Sequence, residues 1–123
     1  MVKLKHNKLN EFSEKERNKK MKEISSKDFK AEVEESKSLV VIDLYADWCG
    51  PCKMLSPTLD ALENEFPEVK FVKINVDKEP SLAMQFKVQS IPFVAFVKDN
   101  TFLDMSVGYV PADKLRKMIV QYK

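Results

Sequence analysis

The stretch that decides the fold runs over Leu39–Lys53 and reads LVVIDLYADWCGPCK. Its first half is an apolar run rich in β-branched residues, which is typical of a central strand buried on both faces. Its second half holds the chain's only two cysteines, Cys49 and Cys52, with one of its two glycines between them. Apolar residues recur at helical spacing from Met54 onward, which predicts a helix there. A cysteine pair therefore stands where a buried strand gives way to a helix.

Strand and helix patterns alternate on both sides of this stretch. They predict strands over residues 21–24, 39–45, 69–76, 91–97 and 101–107, and helices over residues 25–36, after the cysteine pair to 66, over 81–86 and from 111. We expect a kink at Pro57 inside the second helix, and a turn without glycine at Asp99-Asn100. The order β-α-β-α-β-α-β-β-α implies a mixed sheet with parallel strands, a closing antiparallel hairpin, and helices on both faces. The predicted fold class is α/β.

Composition sets the class of protein. The chain has 123 residues, of which 44% are apolar and 33% charged, as expected for one globular domain. Its 21 basic and 19 acidic residues nearly cancel, so charge gives no argument for nucleic-acid binding. No run approaches the ~18 apolar residues of a membrane span, so we expect neither a nucleic acid nor a membrane as partner.

The first twenty residues differ from the rest. Residues 1–23 carry eight Lys or Arg and four Glu, a net charge of 8 − 4 = +4. We expect residues 1–20 to form a basic, flexible extension and residues 21–123 to form the domain, with a docking or oligomerising arm as the alternative. The extension lacks the apolar core of a secretory signal, so we expect a cytoplasmic protein. It also holds the only histidine, His6, so no catalytic histidine is expected.

The Cys-x-x-Cys pattern allows three interpretations. A structural zinc site needs four ligands, and the chain offers no second cysteine pair, so we expect no metal. Two inert core thiols would not need this position at the start of a helix. A redox dithiol fits best, because the first turn of a helix favours a thiolate and lowers the pKa of Cys49. The two-residue spacing also leaves Cys52 within disulfide reach.

The residues around the cysteines resemble a known family. The hexapeptide WCGPCK at residues 48–53 resembles the active-site signature of the thioredoxin family, a motif long associated with a lowered cysteine pKa. Further matches, in the family's order, are VIDLYA at 41–46, Pro57, KINVD at 73–77, SIP at 90–92 and Gly108. The resemblance covers about Met21 to Lys123. It implies the thioredoxin fold, in which three parallel-type strands and a C-terminal antiparallel hairpin form a sheet flanked by four helices.

The resemblance also implies roles for individual residues. Cys49 would be the attacking nucleophile and Cys52 the resolving thiol. Asp43 would be a buried carboxyl of raised pKa that accepts the Cys52 proton through water, with Lys73 as its cationic neighbour. A strand-edge acid paired with Lys73 is the alternative for Asp43.

A second set of residues would form the substrate surface. Pro92 would follow a cis peptide bond, and the Ile91 backbone would pair with an extended substrate strand. Trp48 would pack over the site, and Gly108 would allow close approach of a substrate backbone. The substrate-binding set that the resemblance implies is Trp48, Gly50, Pro51, Ile91, Pro92 and Gly108.

The function implied is that of an enzyme, a protein-disulfide reductase of thioredoxin type that takes part in electron transport and cell redox homeostasis. It would carry no bound cofactor besides the Cys49–Cys52 redox-active disulfide and would receive electrons from NADPH through thioredoxin reductase. Ribonucleotide reductase, peroxiredoxin and methionine sulfoxide reductase are substrates implied by the family, and we expect a monomer. The alternatives are an oxidase or isomerase of the same fold and a non-catalytic binding subunit.

The sequence also departs from the family pattern. Tyr45 stands where the family often has Trp, and Asp99-Asn100 replaces the usual glycine-containing hairpin turn. Gln89-Ser90 and Ser81 likewise stand where glycines are common.

Overall fold

Five strands and four helices form over residues 20–123, the part of the chain that the structure, a computed structural model, describes. The strands are β1 (Lys22–Glu23), β2 (Val40–Tyr45), β3 (Lys70–Asn75), β4 (Phe93–Lys98) and β5 (Thr101–Val107). The helices are α1, which is α-helical over Ser26–Phe29 and π-helical over Lys30–Glu34, then α2 (Gly50–Glu65), α3 (Pro80–Gln85) and α4 (Ala112–Tyr122). The predicted order of elements is confirmed.

The strands form one mixed sheet in the order β1-β3-β2-β4-β5. β1 and β2 both run parallel to β3, whereas β4 is antiparallel to β2 and β5 to β4. The predicted fold class, three parallel strands plus an antiparallel hairpin, is therefore confirmed. β2 lies in the middle of the sheet, which explains its apolar run.

Helices cover both faces of the sheet, as predicted. On one face Val41 of β2 belongs to a core with Leu59 of α2 and Ile119 of α4. On the other face Ile42 packs in a core with Phe29 of α1 and other apolar residues. Since successive strand residues point to opposite faces, Asp43 shares the face of Val41 and points towards α2. The strand pattern thus directs one carboxyl into the interior beside the cysteine helix.

The connections follow the sequence signals with small differences. Asp99 and Asn100 form the predicted turn without glycine, with φ values of 51° and 57°. Pro57 lies inside α2, and Pro80 begins α3. β1 has two residues where four were predicted. The extension predicted for residues 1–20 lies, apart from Lys20, outside the described residues. No helix within residues 20–123 is long and apolar enough to cross a membrane.

Candidate active site

The two cysteines form a disulfide at the N-terminus of α2. Their Cα atoms are 5.3 Å apart, and the exposed fractions of Cys49 and Cys52 are 4% and 3%. Cys49 is the N-cap of α2, and its Sγ accepts a hydrogen bond of 3.2 Å from the backbone N–H of Cys52. Pro51 fits the first turn, where its missing N–H would be unpaired in any case. The helix thus presents an N–H group and the positive end of its dipole to the Cys49 sulfur.

A buried acid lies behind this disulfide. Asp43 is 2% exposed, and within residues 20–123 its Oδ1 has no hydrogen-bond partner. Burial raises its pKa from 3.8 to about 7, the Lys73 ammonium opposes this rise, and Asp60 adds to it. Asp43 and Cys52 line the same cavity of about 300 Å³. The burial and raised pKa predicted for Asp43 are found, and its carboxyl shares a cavity with the second cysteine.

Lys73 lies beside Asp43 but is not paired with it. The two residues are direct neighbours in the β2–β3 register, yet among residues 20–123 Lys73 forms no ion pair. Its Nζ instead lies 5.3 Å from the ring centroid of Tyr45. The register places Lys73 beside Asp43, and no ion pair joins the two within residues 20–123.

The loop before β4 closes the site from the other side. The Ile91–Pro92 peptide bond is cis, as predicted, and Ile91 packs against the cluster of Ala46, Cys49 and Cys52. Gly108 has φ = 87°, a conformation that L residues rarely adopt, and its N–H donates a 2.8 Å hydrogen bond to the Pro92 carbonyl. The end of β5 is therefore tied to the cis-proline loop.

Trp48 is more open than expected, and Gly50, also in the predicted substrate surface, borders open space. The side chain of Trp48 was expected to pack over the site, but Trp48 is 72% exposed and its Nε1–H donates to Asp77 Oδ2 at 2.8 Å. A Cβ added at Gly50 would meet no atom within 4 Å, so the fold of the chain itself does not require glycine there. Trp48 and Ile91 line one groove of about 290 Å³. The surface beside the disulfide is thus apolar and unobstructed.

The sequence reasoning missed three residues of this site. Asp60 influences Asp43 from α2, Asp77 holds the Trp48 indole, and Tyr45 contacts Lys73. The helical spacing places Asp60 on the same helix as Cys52, and this is a weak signal that Asp60 lies near Asp43. The other two contacts depend on side-chain conformations that spacing does not specify.

The described part of the chain offers no metal centre. Within residues 20–123 no three His, Cys, Asp or Glu side chains are grouped so that they could hold a metal ion.

Known proteins resemble this chain over nearly all of the described residues. A model of the Thioredoxin family matches residues 20–121. The chain is 45% identical to a thioredoxin of Chlamydia trachomatis serovar D over 85 residues, which cover 69% of this chain and 83% of the relative. It is 40% identical to a thioredoxin of Chlamydia caviae over 102 residues, which cover 83% of this chain and 98% of the relative.

Solved structures agree. The X-ray structure of Fasciola hepatica thioredoxin superposes with a TM-score of 0.78 at 34% identity, covering 84% of this chain and 100% of that one. Both the sequence and the arrangement of elements therefore match the same family.

Proposed function

This chain belongs to the thioredoxin family and is a protein thiol–disulfide oxidoreductase, and we propose that Cys49 attacks its substrates while Cys52 resolves them. The Cys49 thiolate attacks one sulfur of a substrate disulfide, forms a mixed disulfide and releases the first substrate thiolate. The Cys52 thiolate then attacks Cys49 Sγ, which re-forms the Cys49–Cys52 disulfide and releases the second substrate thiolate. Two electrons pass to the substrate, which leaves as a dithiol after two protons are taken up.

The observation that carries this proposal is the disulfide at the N-terminus of α2 beside the buried Asp43. Cys49 is the better nucleophile of the pair because the Cys52 N–H donates to its sulfur and the dipole of α2 favours its thiolate. Cys52 lines the cavity with Asp43, so its proton has an acceptor nearby. The two cysteines therefore have different environments that suit different steps.

We assign the proton of Cys52 to Asp43. A carboxyl whose pKa is raised to about 7 changes protonation near neutral pH, as a general base for a thiol requires. The shared cavity of about 300 Å³ is large enough for a water molecule to relay the proton. Lys73, the neighbour of Asp43 in β3, favours the ionised carboxylate and so limits how far the pKa rises.

The open groove is assigned to the substrate chain. An extended substrate segment would pair with the backbone of Ile91 and lie against Trp48 and Pro92, with its disulfide above Cys49. Gly50 and Pro51 would flank that disulfide, since the space above Gly50 is open. Gly108, held against Pro92, would border the groove from β5. Main-chain pairing explains how one site can serve many protein disulfides.

The electron source and the setting belong to the same proposal. We assign recycling to a thioredoxin reductase that uses NADPH, and substrates to disulfide-containing proteins such as ribonucleotide reductase, peroxiredoxin or methionine sulfoxide reductase. The protein would act as a cytoplasmic monomer, with residues 21–123 as its domain and residues 1–20 as a basic extension. Neither nucleic acid nor a membrane has a part in this cycle.

Reduction of insulin disulfides tests the two cysteine roles separately. With NADPH and the reductase of the same organism, wild type should turn over and Cys49→Ser should be inactive. Cys52→Ser should also fail to turn over, but should accumulate a mixed disulfide through Cys49 that mass spectrometry detects. Trapping by Cys49→Ser instead would reverse the assignment. Negligible rates in wild type and Cys49→Ser alike would leave only the role of a binding subunit.

Equilibration with glutathione tests the direction of the reaction. A reductase has a low reduction potential and should be largely oxidised after equilibration at a cytosolic glutathione poise, whereas an oxidase or isomerase has a higher potential and should be largely reduced there. Quantifying the thiols of wild type after equilibration in defined glutathione buffers distinguishes the two.

A further inference from the structure

Tyr45, one of the residues that depart from the family pattern, connects three charged groups beside the buried acid. Its hydroxyl donates a 2.7 Å hydrogen bond to Glu23 Oε1, and the other oxygen of Glu23 lies 3.6 Å from Lys78 Nζ. The face of its ring lies 5.3 Å from Lys73 Nζ, within the range of a cation–π contact. One side chain thus contacts an acid through its edge and a cation through its face.

The strand register places Lys73 between Glu23 and Asp43. In the pairing of β1 with β3, Glu23 lies directly beside Lys73, and in the pairing of β3 with β2, Lys73 lies directly beside Asp43. Lys73 therefore stands between two carboxyls in one row across the sheet. Opposite charges in such cross-strand pairs attract each other, so Glu23 would be the natural ion-pair partner of Lys73.

The observed contacts differ from that expectation. Among residues 20–123 Glu23 is engaged by the Tyr45 hydroxyl and by Lys78, and the Lys73 ammonium forms no ion pair but lies over the Tyr45 ring. Tyr45 also lines the cavity that Asp43 and Lys73 line. A tryptophan at this position could hold the cation on its ring but would have only its indole N–H, and no hydroxyl, to offer Glu23.

We propose that Tyr45 is a positioning residue for the reaction: it occupies Glu23 through its hydroxyl and holds Lys73 over its ring, so that the ammonium stays beside Asp43. This inference deepens the proposed function and rests on the role given there to Asp43. Lys73 is the group that opposes the rise in the Asp43 pKa, so its position tunes the acid.

The hydroxyl keeps its role across the working pH range. Burial, followed by the hydrogen bond to Glu23, raises the pKa of Tyr45, so the phenol remains a donor while Asp43 titrates. Six titratable or charged residues within residues 20–123 surround Asp43. Those that line its cavity or act on its charge are Lys73, Asp60, Cys52, Tyr45, Asp47 and Lys53.

The test measures the Asp43 pKa by NMR titration of its carboxyl carbon in the oxidised protein. Tyr45→Phe keeps the ring but frees Glu23 to attract Lys73, so the Asp43 pKa should rise by about 0.5 or more. In the Glu23→Gln background the same substitution should shift it by less than about 0.2, since no competing carboxylate remains. An unchanged pKa in Tyr45→Phe, or an equal rise in both backgrounds, would overturn the inference.

A matched control is available in Tyr122→Phe. Its hydroxyl also donates to a carboxylate, Asp104 Oδ2, at 2.8 Å, but at the α4–β5 side of the molecule. This variant should leave the Asp43 pKa unchanged, and a shift as large as that of Tyr45→Phe would count against the inference.

The pH profile of insulin reduction then separates the two proposals. If Asp43 accepts the Cys52 proton, the profile of Tyr45→Phe should move to higher pH together with the NMR value. If the NMR value moves and the profile does not, Tyr45 holds Lys73 beside Asp43 as inferred, but the proposed role of Asp43 in turnover fails.

Discussion

The buried carboxyl of Asp43 destabilises the folded protein when it is ionised. Its raised pKa can therefore be tested by measuring stability as a function of pH. Its pKa is about 7 in the folded chain against an ordinary 3.8, so the folded state binds more protons than the unfolded state between these values. The contribution of this one group to stability should therefore be most favourable below pH 4, become less favourable as pH rises, and level off above pH 7, with a total loss of about 4 kcal/mol.

Asp43→Asn should remove this pH dependence. We expect the oxidised variant to equal wild type near pH 4 and to exceed it by about 2–4 kcal/mol at pH 8, measured by urea unfolding at both pH values. The exposed turn residue Asp99 offers a matched control, because Asp99→Asn keeps a side chain that tolerates positive φ. A gain at pH 8 in Asp99→Asn as large as that in Asp43→Asn would contradict the explanation.

The same variant should lose activity. Without a carboxylate to accept the Cys52 proton, we expect Asp43→Asn to slow insulin reduction at pH 7 by about 10- to 100-fold. The pH–rate profile should also lose its rise near pH 7. An unchanged rate with an unchanged profile would show that another group accepts the proton.

The features of this site that the sequence predicts are those that follow from its strand and helix patterns. Asp43 could be predicted to be buried because it interrupts an apolar central strand, and Cys49 could be placed at a helix start by the apolar spacing that follows. The contacts of Tyr45 with Glu23 and Lys73 could not, since they depend on strand register between distant segments and on side-chain rotamers. The exposure of Trp48 was missed for the same reason, because its indole is held by Asp77, 29 residues away.

The C-terminal cap of α3 is likewise a feature that the sequence does not predict. The N–H of Val88 donates to Ala83 O and that of Lys87 to Met84 O, each at 3.0 Å. This double pattern is the Schellman motif, whose left-handed residue is usually glycine. Here that residue is Lys87, with φ = 57°. Its sequence neighbours contain no glycine, so the sequence gives no signal for the cap although the helix itself is predicted.

Lys87→Gly should therefore stabilise the protein. Relief of the left-handed lysine exceeds the added entropy of the unfolded chain, and we expect a gain of about 0.5–1 kcal/mol in urea unfolding. Lys117→Gly, inside α4, provides the opposite control and should cost about 1 kcal/mol. If both variants lose stability alike, the cap does not store strain at Lys87.

For the molecule as a whole, residues 20–123 contain buried apolar clusters on both faces of the sheet. The family match begins at residue 20. The helix and strand patterns in the sequence made this domain predictable. The first twenty residues show no regular helix or strand pattern, so only their basic charge could be interpreted.

Deletion of residues 1–19 tests whether the domain is independent of them. We expect insulin reduction to be unchanged and the melting temperature to stay within about 2 °C, as for a segment that contributes little to stability. Deletion of residues 1–23 is the matched control. It removes Met21, which is 5% exposed in the core, and the pairing of β1 with β3, and should lower the melting temperature by about 10 °C or more. A large loss of activity or of melting temperature in the shorter deletion would instead identify the extension as a docking arm. A change of oligomeric state in that variant, measured by sedimentation, would identify it as an oligomerising arm.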